Sequence, residues 1–235
     1  MNVATLTKST GFRNPTRQLT SVLAPIEKRL LIWMAERLPA WITSDHLTGL
    51  ALAAMFAAGL GYALTSVSRA GFVLAVVSLA VNWFGDSLDG TLARVRGCER
   101  PRFGFYVDHV IDAMGASFLF GGLAISGYMT PAIALLFLAA YLLLCAEVFL
   151  RSLCLGEFQM SFFGVGPTEL RILLAVGSLY AMVHPTAELF GRTYLLFDVG
   201  GVIGAIGLAA TFVLAAARTT RTLFRAEPLR ETRNG

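Results

Sequence analysis

Six apolar stretches set the rhythm of this chain. They run at about 46–66, 70–92, 108–127, 131–150, 168–184 and 194–217, each near the ~20 residues that a membrane-spanning helix needs. The fifth is the weakest, with an uninterrupted apolar core at 172–183 only. Ahead of them, residues 22–41 carry a helical stripe. Leu23, Ile26, Leu30, Trp33, Met34, Leu38 and Trp41 recur at three- or four-residue spacing, while Glu27, Lys28, Glu36 and Arg37 lie mostly off it. Pro25 suits the first turn of such a helix and Pro39 its end. Two tryptophans favour an interfacial amphipathic helix over one packed on the protein's own cytoplasmic face. The expected fold is therefore all-α: six transmembrane helices behind an amphipathic helix. Residues 22–217 form one transmembrane domain, 1–21 a polar N-terminal tail and 218–235 a basic tail.

Composition agrees. The 235 residues are 56% hydrophobic and 14% charged, with a mean hydropathy of +0.67, which places the chain among polytopic membrane proteins. With six spans and both termini on one side, all of the 19 Lys and Arg residues except Arg69 and Arg192 fall on that side. The positive-inside rule makes that side cytoplasmic. It includes the loop after the second span, with Arg94, Arg96, Arg100 and Arg102. The basic balance thus reflects topology and anionic lipid headgroups; the chain has no nucleic-acid motif. Residues 1–20 have no apolar core of signal-peptide length. Cys98, Cys145 and Cys154 are odd in number and lack ligand spacing, which argues against a disulfide framework. Cys145 and Cys154 read as small packing residues. The Ala-, Leu- and Arg-rich composition suggests a prokaryotic chain, hence a bacterial inner membrane. Segment 151–170 reads as a re-entrant or surface-lying turn. Gly200 and Gly204 form a GxxxG pair, a seam for packing within the monomer or for a homodimer.

Against this apolar background four acids stand out: Asp86, Asp89, Asp108 and Asp112. An Asp at a bilayer centre costs about 2.5–3.5 kcal/mol, and intramembrane acids default to function. Asp86, Asp89, Gly90 and Ala93 follow i, i+3, i+4, i+7 spacing and share one helical face, with Arg94 one residue round. Asp108 and Asp112 are i, i+4 at the start of the next span. Helices joined by a short loop are expected neighbours, so the two acidic faces can converge. Carboxylate oxygens are the hard ligands that Mg²⁺ or Mn²⁺ prefer, and four of them can hold two ions, an arrangement suited to displacement at phosphorus. Small residues that admit a ligand, an Arg for phosphate and metals together describe a pyrophosphate-containing ligand. The plainer alternative, solvated acids pairing with nearby arginines, fits one Asp better than four.

These residues resemble the signature of the CDP-alcohol phosphotransferases: D-x2-D-G-x2-A-R, a spacer, then G-x3-D-x3-D. Asp86, Asp89, Gly90, Ala93, Arg94, Gly104, Asp108 and Asp112 fill its eight positions, with a spacer (95–103) one residue longer than the commonest form. The resemblance covers about 22–217. It implies transfer of a substituted phosphate from a CDP-alcohol to an acceptor hydroxyl, with release of CMP, in phospholipid synthesis. By that resemblance Asp86, Asp89 and Asp108 bind metal, Asp112 completes the site and acts as general base, and Gly90, Ala93, Arg94 and Gly104 receive the cytidine diphosphate moiety. The short C-terminus favours CDP-diacylglycerol as donor. An aminoalcohol enzyme using CDP-choline-type donors and diacylglycerol is the alternative.

Fainter signals surround the signature. Residues 42–50 resemble a family segment that helps hold the nucleotide, through Asp45 or Thr48; otherwise Ser44 or Asp45 is a helix N-cap. His109 could move a proton or simply face solvent at the interface. Glu147 is expected to pair with Arg151 along a helix. Glu147, Arg151, Glu169 and Arg171 are candidates for the acceptor pocket, or else snorkelling anchors. His184 lies on the opposite side and is not a catalytic candidate. An aspartate-rich membrane prenyltransferase would carry its acids on well-separated helices. A cation transporter would spread them along a path through the bilayer.

Overall fold

The structure is a computed structural model and describes residues 16–18, 24–159 and 167–227. Seven helices account for most of it. They are α1 (Ala24–Arg37), α2 (Ser44–Leu64), α3 (Ala70–Val95), α4 (Pro101–Ile125), α5 (Pro131–Leu155), α6 (Pro167–Val183) and α7 (Leu196–Ala226). The last six fall on the six apolar stretches read from the sequence. Two small strand pairs complete the fold. β1 (Thr16–Gln18) runs parallel to β2 (Glu157–Gln159), and β3 (Thr186–Leu189) forms a hairpin with β4 (Arg192–Leu195). Four helices, α2, α3, α5 and α7, are long and apolar enough to cross a membrane. The sequence reading expected six; α4 and α6 do not meet that standard on length and composition alone.

Local chemistry explains the boundaries. Pro101 and Pro131 open α4 and α5 at positions where a missing N–H costs nothing. Gly156, with φ 70°, closes α5 in the left-handed conformation that glycine adopts without a Cβ penalty. The cap of α2 is Thr43, not Ser44 or Asp45. Its hydroxyl accepts from His46 N at 3.3 Å, and His46 Nδ1 accepts from Thr43 N at 3.2 Å, a reciprocal capping box. The helix from Pro101 starts seven residues earlier than the apolar pattern suggests. Arg94 and Arg102 therefore sit on helices, and the connection is only 96–100. α7 runs on to Ala226, so 218–226 is helical rather than loose tail. Of the expected N-terminal tail only 16–18 is described; within the expected turn at 151–170 the described residues form the end of α5, β2 and the start of α6, with 160–166 outside the described residues.

α2 is the hub. It packs against both α3 and α4, α5 packs on α4 and α7, and α6 packs on α3. At one end backbones touch where side chains are missing. A Cβ on Gly122 would strike Gly59 and one on Gly59 would strike Phe118; Gly61 and Gly71 face each other in the same way. This is the close approach that small residues permit in membrane bundles. Tyr62, Phe72, Leu79, Leu119, Phe120 and Leu123 pack in the core they enclose. The outward surface stays apolar, with Leu60, Val77, Leu136, Ile203 and Ile206 exposed, as a lipid-facing surface would be. The GxxxG pair is split. Gly204 lies against Phe137 of α5, while Gly200 faces open space.

α1 uses a second face beside the stripe to meet the bundle. Leu31 and Ala35 are buried with Leu47, Leu88 and Leu92, so one face packs on the bundle through α3. The other apolar face remains outward, with Ile26 72% and Trp33 52% exposed. Among the cysteines, Cys154 is exposed rather than packed.

Candidate active site

The end of the bundle opposite the glycine contacts holds the acids. On α3, Leu88 and Leu92 face α1, and Gly85 abuts Leu47 and Ala51 of α2. Helical periodicity then leaves Asp86, Asp89, Gly90 and Ala93 on one remaining face. Asn82, one turn before Asp86, donates from Nδ2 to the Ala51 carbonyl at 3.0 Å and pins α3 to α2. α3 and α4 are not among the helix pairs that pack closely along their length in the described residues. The sequence reading expected them to be direct neighbours. Instead α2 packs on both, and the acids converge beside it. The charges of Asp86 and Asp108 act on Asp89, and those of Asp86, Asp89 and Asp108 act on Asp112.

Each acid has specific company. Asp89 is buried, and its Oδ2 accepts from the Thr48 hydroxyl at 2.6 Å. Its Oδ1 accepts from Gly90 N at 2.5 Å. Asp86 forms an ion pair at 2.5 Å with Arg171 from the first turns of α6. Arg171 also acts electrostatically on Asp112. Tyr141 of α5 stands within the influence of both Asp112 and Arg171 and hydrogen-bonds Cys145. The Arg94 guanidinium donates to Thr91 at 3.0 Å and lies over Gly90, where a Cβ would come 3.5 Å from it. Gly104 faces open space.

Among the described residues no three His, Cys, Asp or Glu side chains stand as a metal-holding set. The contacts give the reason, since Asp86 turns to Arg171 and Asp89 to Thr48. The donor class nevertheless fits a hard divalent ion, being carboxylate oxygen throughout. A guanidinium resting on Asp86 shows that the cluster attracts a cation.

The fold joins this site with part of the surrounding sequence pattern and separates the rest. Arg171 belongs to it directly, as does Thr48. Asp45 pairs with Arg100 of the 96–100 connection at an exposed position. His109 is not a solvent-facing residue. It is buried, with Nδ1 on the Phe105 carbonyl at 2.5 Å and its ring edge-on to Phe149 of α5. Glu147 is buried in α5, and its Oε1 accepts from Thr219 of α7 at 2.7 Å. Arg151 lines a small cleft between α5 and α7 with Leu155, Arg218, Thr219 and Thr222. Glu169 sits in the first turn of α6. His184 stacks on Tyr180 at the far end of α6.

A family model described as CDP-alcohol phosphatidyltransferase matches residues 38–217, most of the chain and all of the acidic face. The chain belongs to that family. It is thus a membrane protein of a transferase family for substituted phosphate groups, one whose members generally depend on divalent metal. A comparison with curated proteins found no match. The matched segment of the transferase begins at residue 38, just after α1.

Two groups of residues in this transferase escaped the sequence reading. Arg96, counted there only as topological charge, donates to the carbonyls of Leu38 and Pro39 at 3.0 Å and of Ile42 at 2.5 Å. It holds the α1–α2 connection against the end of α3. Glu27, Trp83, Ser87 and Thr168 meet at a single carboxylate oxygen. The visible hint was that Ser87 adjoins Asp86.

Proposed function

We propose that this transferase moves a phosphatidyl group from CDP-diacylglycerol to an acceptor alcohol and releases CMP. The observation that carries the reading is the convergence of Asp86, Asp89, Asp108 and Asp112 from two helices, with Arg171 beside them. Asp112 takes the proton from the acceptor hydroxyl. The acceptor oxygen forms a bond to the phosphorus that bears the diacylglycerol, and the bond from that phosphorus to CMP breaks. The proton stays on Asp112 and the electron pair leaves with CMP. Gly90 and Ala93 leave room for the diphosphate, and Arg94, with five donors in a fixed fork, suits its oxygens. Asp86, Asp89 and Asp108, completed by Asp112, would hold Mg²⁺ or Mn²⁺. Such ions supply neutralisation of the diphosphate charge.

In this reading α4 and α6 also cross the bilayer, giving six spans. Both termini and the acidic end face the cytoplasm of a bacterial inner membrane, because Arg94, Arg96, Arg100 and Arg102 cluster there. The exposed Ile26 and Trp33 of α1 lie in the headgroup region. The test is CMP release in detergent or liposomes with Mg²⁺ or Mn²⁺. Donors span CDP-diacylglycerol and CDP-aminoalcohols, paired with polar alcohols, phosphorylated alcohols and diacylglycerol. Turnover with CDP-diacylglycerol that stops on chelation supports the reading. Absence of CMP from every pair sinks it.

A further inference from the structure

Glu27 lies in α1, ahead of the segment 38–217 that the family model matches. Its Oε1 accepts three hydrogen bonds: from Trp83 Nε1 at 2.7 Å, from the Ser87 hydroxyl at 3.3 Å and from the Thr168 hydroxyl at 2.8 Å. One oxygen therefore ties α1 to α3 and to α6. A carboxylate suits this post because it only accepts, so several donors can meet on it without a donor of its own to misplace.

The three donors are placed around the site. Trp83 and Ser87 are one helical turn apart on α3, and Ser87 adjoins Asp86. Thr168 is in the first turn of α6, three residues before Arg171. Arg171 in turn reaches across to Asp86. The contacts close a ring that runs from Glu27 to Ser87 and Asp86, across to Arg171, back one turn to Thr168, and home to Glu27. If Glu27 served only to fasten α1, the two donors on α3 would suffice, and Leu31 and Ala35 already bury α1 against Leu88 and Leu92. The Thr168 arm has no part in fastening α1 to α3. It binds α6.

We propose that Glu27 is a positioning residue: it clasps the first turn of α6 to α3 so that Arg171 stands over Asp86. The acid-lined site thereby has its cationic wall in place before donor and acceptor arrive. Its bearing on turnover rests on the proposed transfer at that site; the clasp itself does not.

The test compares Glu27→Ala, Glu27→Gln and Thr168→Val in the full-length chain, with Glu36→Ala as an exposed control on the same helix. Glu27→Ala and Thr168→Val should each lower kcat/KM for CMP release on the order of tenfold, as loss of a group supporting an active-site residue typically does. Glu27→Gln keeps an Oε1 acceptor and should recover most of the loss, and Glu36→Ala should cost nothing. In an Arg171→Ala background, Glu27→Ala should have little further effect, because the clasp then has nothing to position. Full activity in Thr168→Val, or equal losses from Glu27→Ala in both backgrounds, overturns the proposal. A thermal-unfolding cycle on the same two positions in detergent reads the coupling without substrate. Non-additive Tm shifts support the clasp and additive shifts refute it, even for an enzyme that released no CMP from any donor.

Discussion

At the end of the bundle that holds Tyr62, Phe72 and Leu123, helices touch backbone to backbone. Gly59 meets Gly122 and Gly61 meets Gly71, with no room for a Cβ. Polar groups there close on each other, as the Tyr62 and Ser178 hydroxyls do at 2.7 Å. At the other end α2 and α3 still touch at Gly85, but α3 and α4 are not among the closely packed pairs. α3 and α4 stand on either side of α2, and the space is edged by carboxylates, a guanidinium and glycines that face open space or an arginine. Both ends use glycine, for opposite purposes. At Gly122 the missing side chain lets protein approach protein; at Gly104 it leaves room that no protein atom fills, and at Gly90 only the end of the Arg94 side chain comes near. The contrast locates function without a ligand, because close-packed interiors leave few voids and no spare charge.

The largest effect should come from the acids. Asp112→Asn keeps size and polarity but cannot accept a proton, and should lower CMP release by about 10²–10⁴-fold, the usual worth of general acid–base catalysis. Normal turnover in this variant would remove Asp112 from the base role while leaving the family assignment intact. Next comes the glycine contrast. Gly122→Ala forces a Cβ into the Gly59 backbone and should destabilise the bundle by about 1–3 kcal/mol, as overpacking does. Gly90→Ala places its Cβ 3.5 Å from the Arg94 guanidinium alone. It should leave the melting temperature unchanged and raise KM for the CDP donor. Detergent unfolding and donor titration on the two variants should therefore respond in opposite columns. Equal destabilisation would mean that the acidic end is as tightly packed as the other.

Much of this was legible along the chain. The long helices were readable from their apolar stretches, four of them with the length and hydropathy to cross a membrane, and the acidic faces because i, i+3, i+4 spacing survives folding unchanged. What local period cannot carry is the partner across the bundle. Nothing in the sequence brings Arg171 to Asp86, 85 residues away, or gathers Trp83, Ser87 and Thr168 on Glu27. The insertion of α2 between α3 and α4 was hidden for the same reason, since adjacency in sequence suggested contact. His109 misled because a titratable ring after Asp108 looks exposed, whereas Phe105 and Phe149 bury it. Thr43 won the cap of α2 over two equally apt neighbours because His46 could answer it three residues on.

The smallest effects give the sharpest version of the contrast, since the same group can be deleted at each end. Tyr62→Phe removes one hydroxyl from the packed end. Ser178 keeps its bond to the Leu174 carbonyl at 2.7 Å, so the cost should be a single net hydrogen bond, about 0.5–1.5 kcal/mol. It should appear as a lower melting temperature with unchanged kcat/KM. Thr48→Val removes one hydroxyl from the acidic end. Thr48 is half-buried, and its single hydroxyl proton lies within reach of Asp89 Oδ2 at 2.6 Å and of the Ser44 carbonyl at 3.0 Å. Without it Asp89 loses the contact from α2 that fixes its Oδ2, while the capping box of Thr43 and His46 still holds the helix start. A loss of about 0.5–1.5 kcal/mol should then fall on transfer rather than on folding, a two- to tenfold lower kcat/KM. If Thr48→Val instead lowers the melting temperature and spares turnover, the Thr48–Asp89 bond is only a strut between α2 and α3, and Asp89 is held by its own helix.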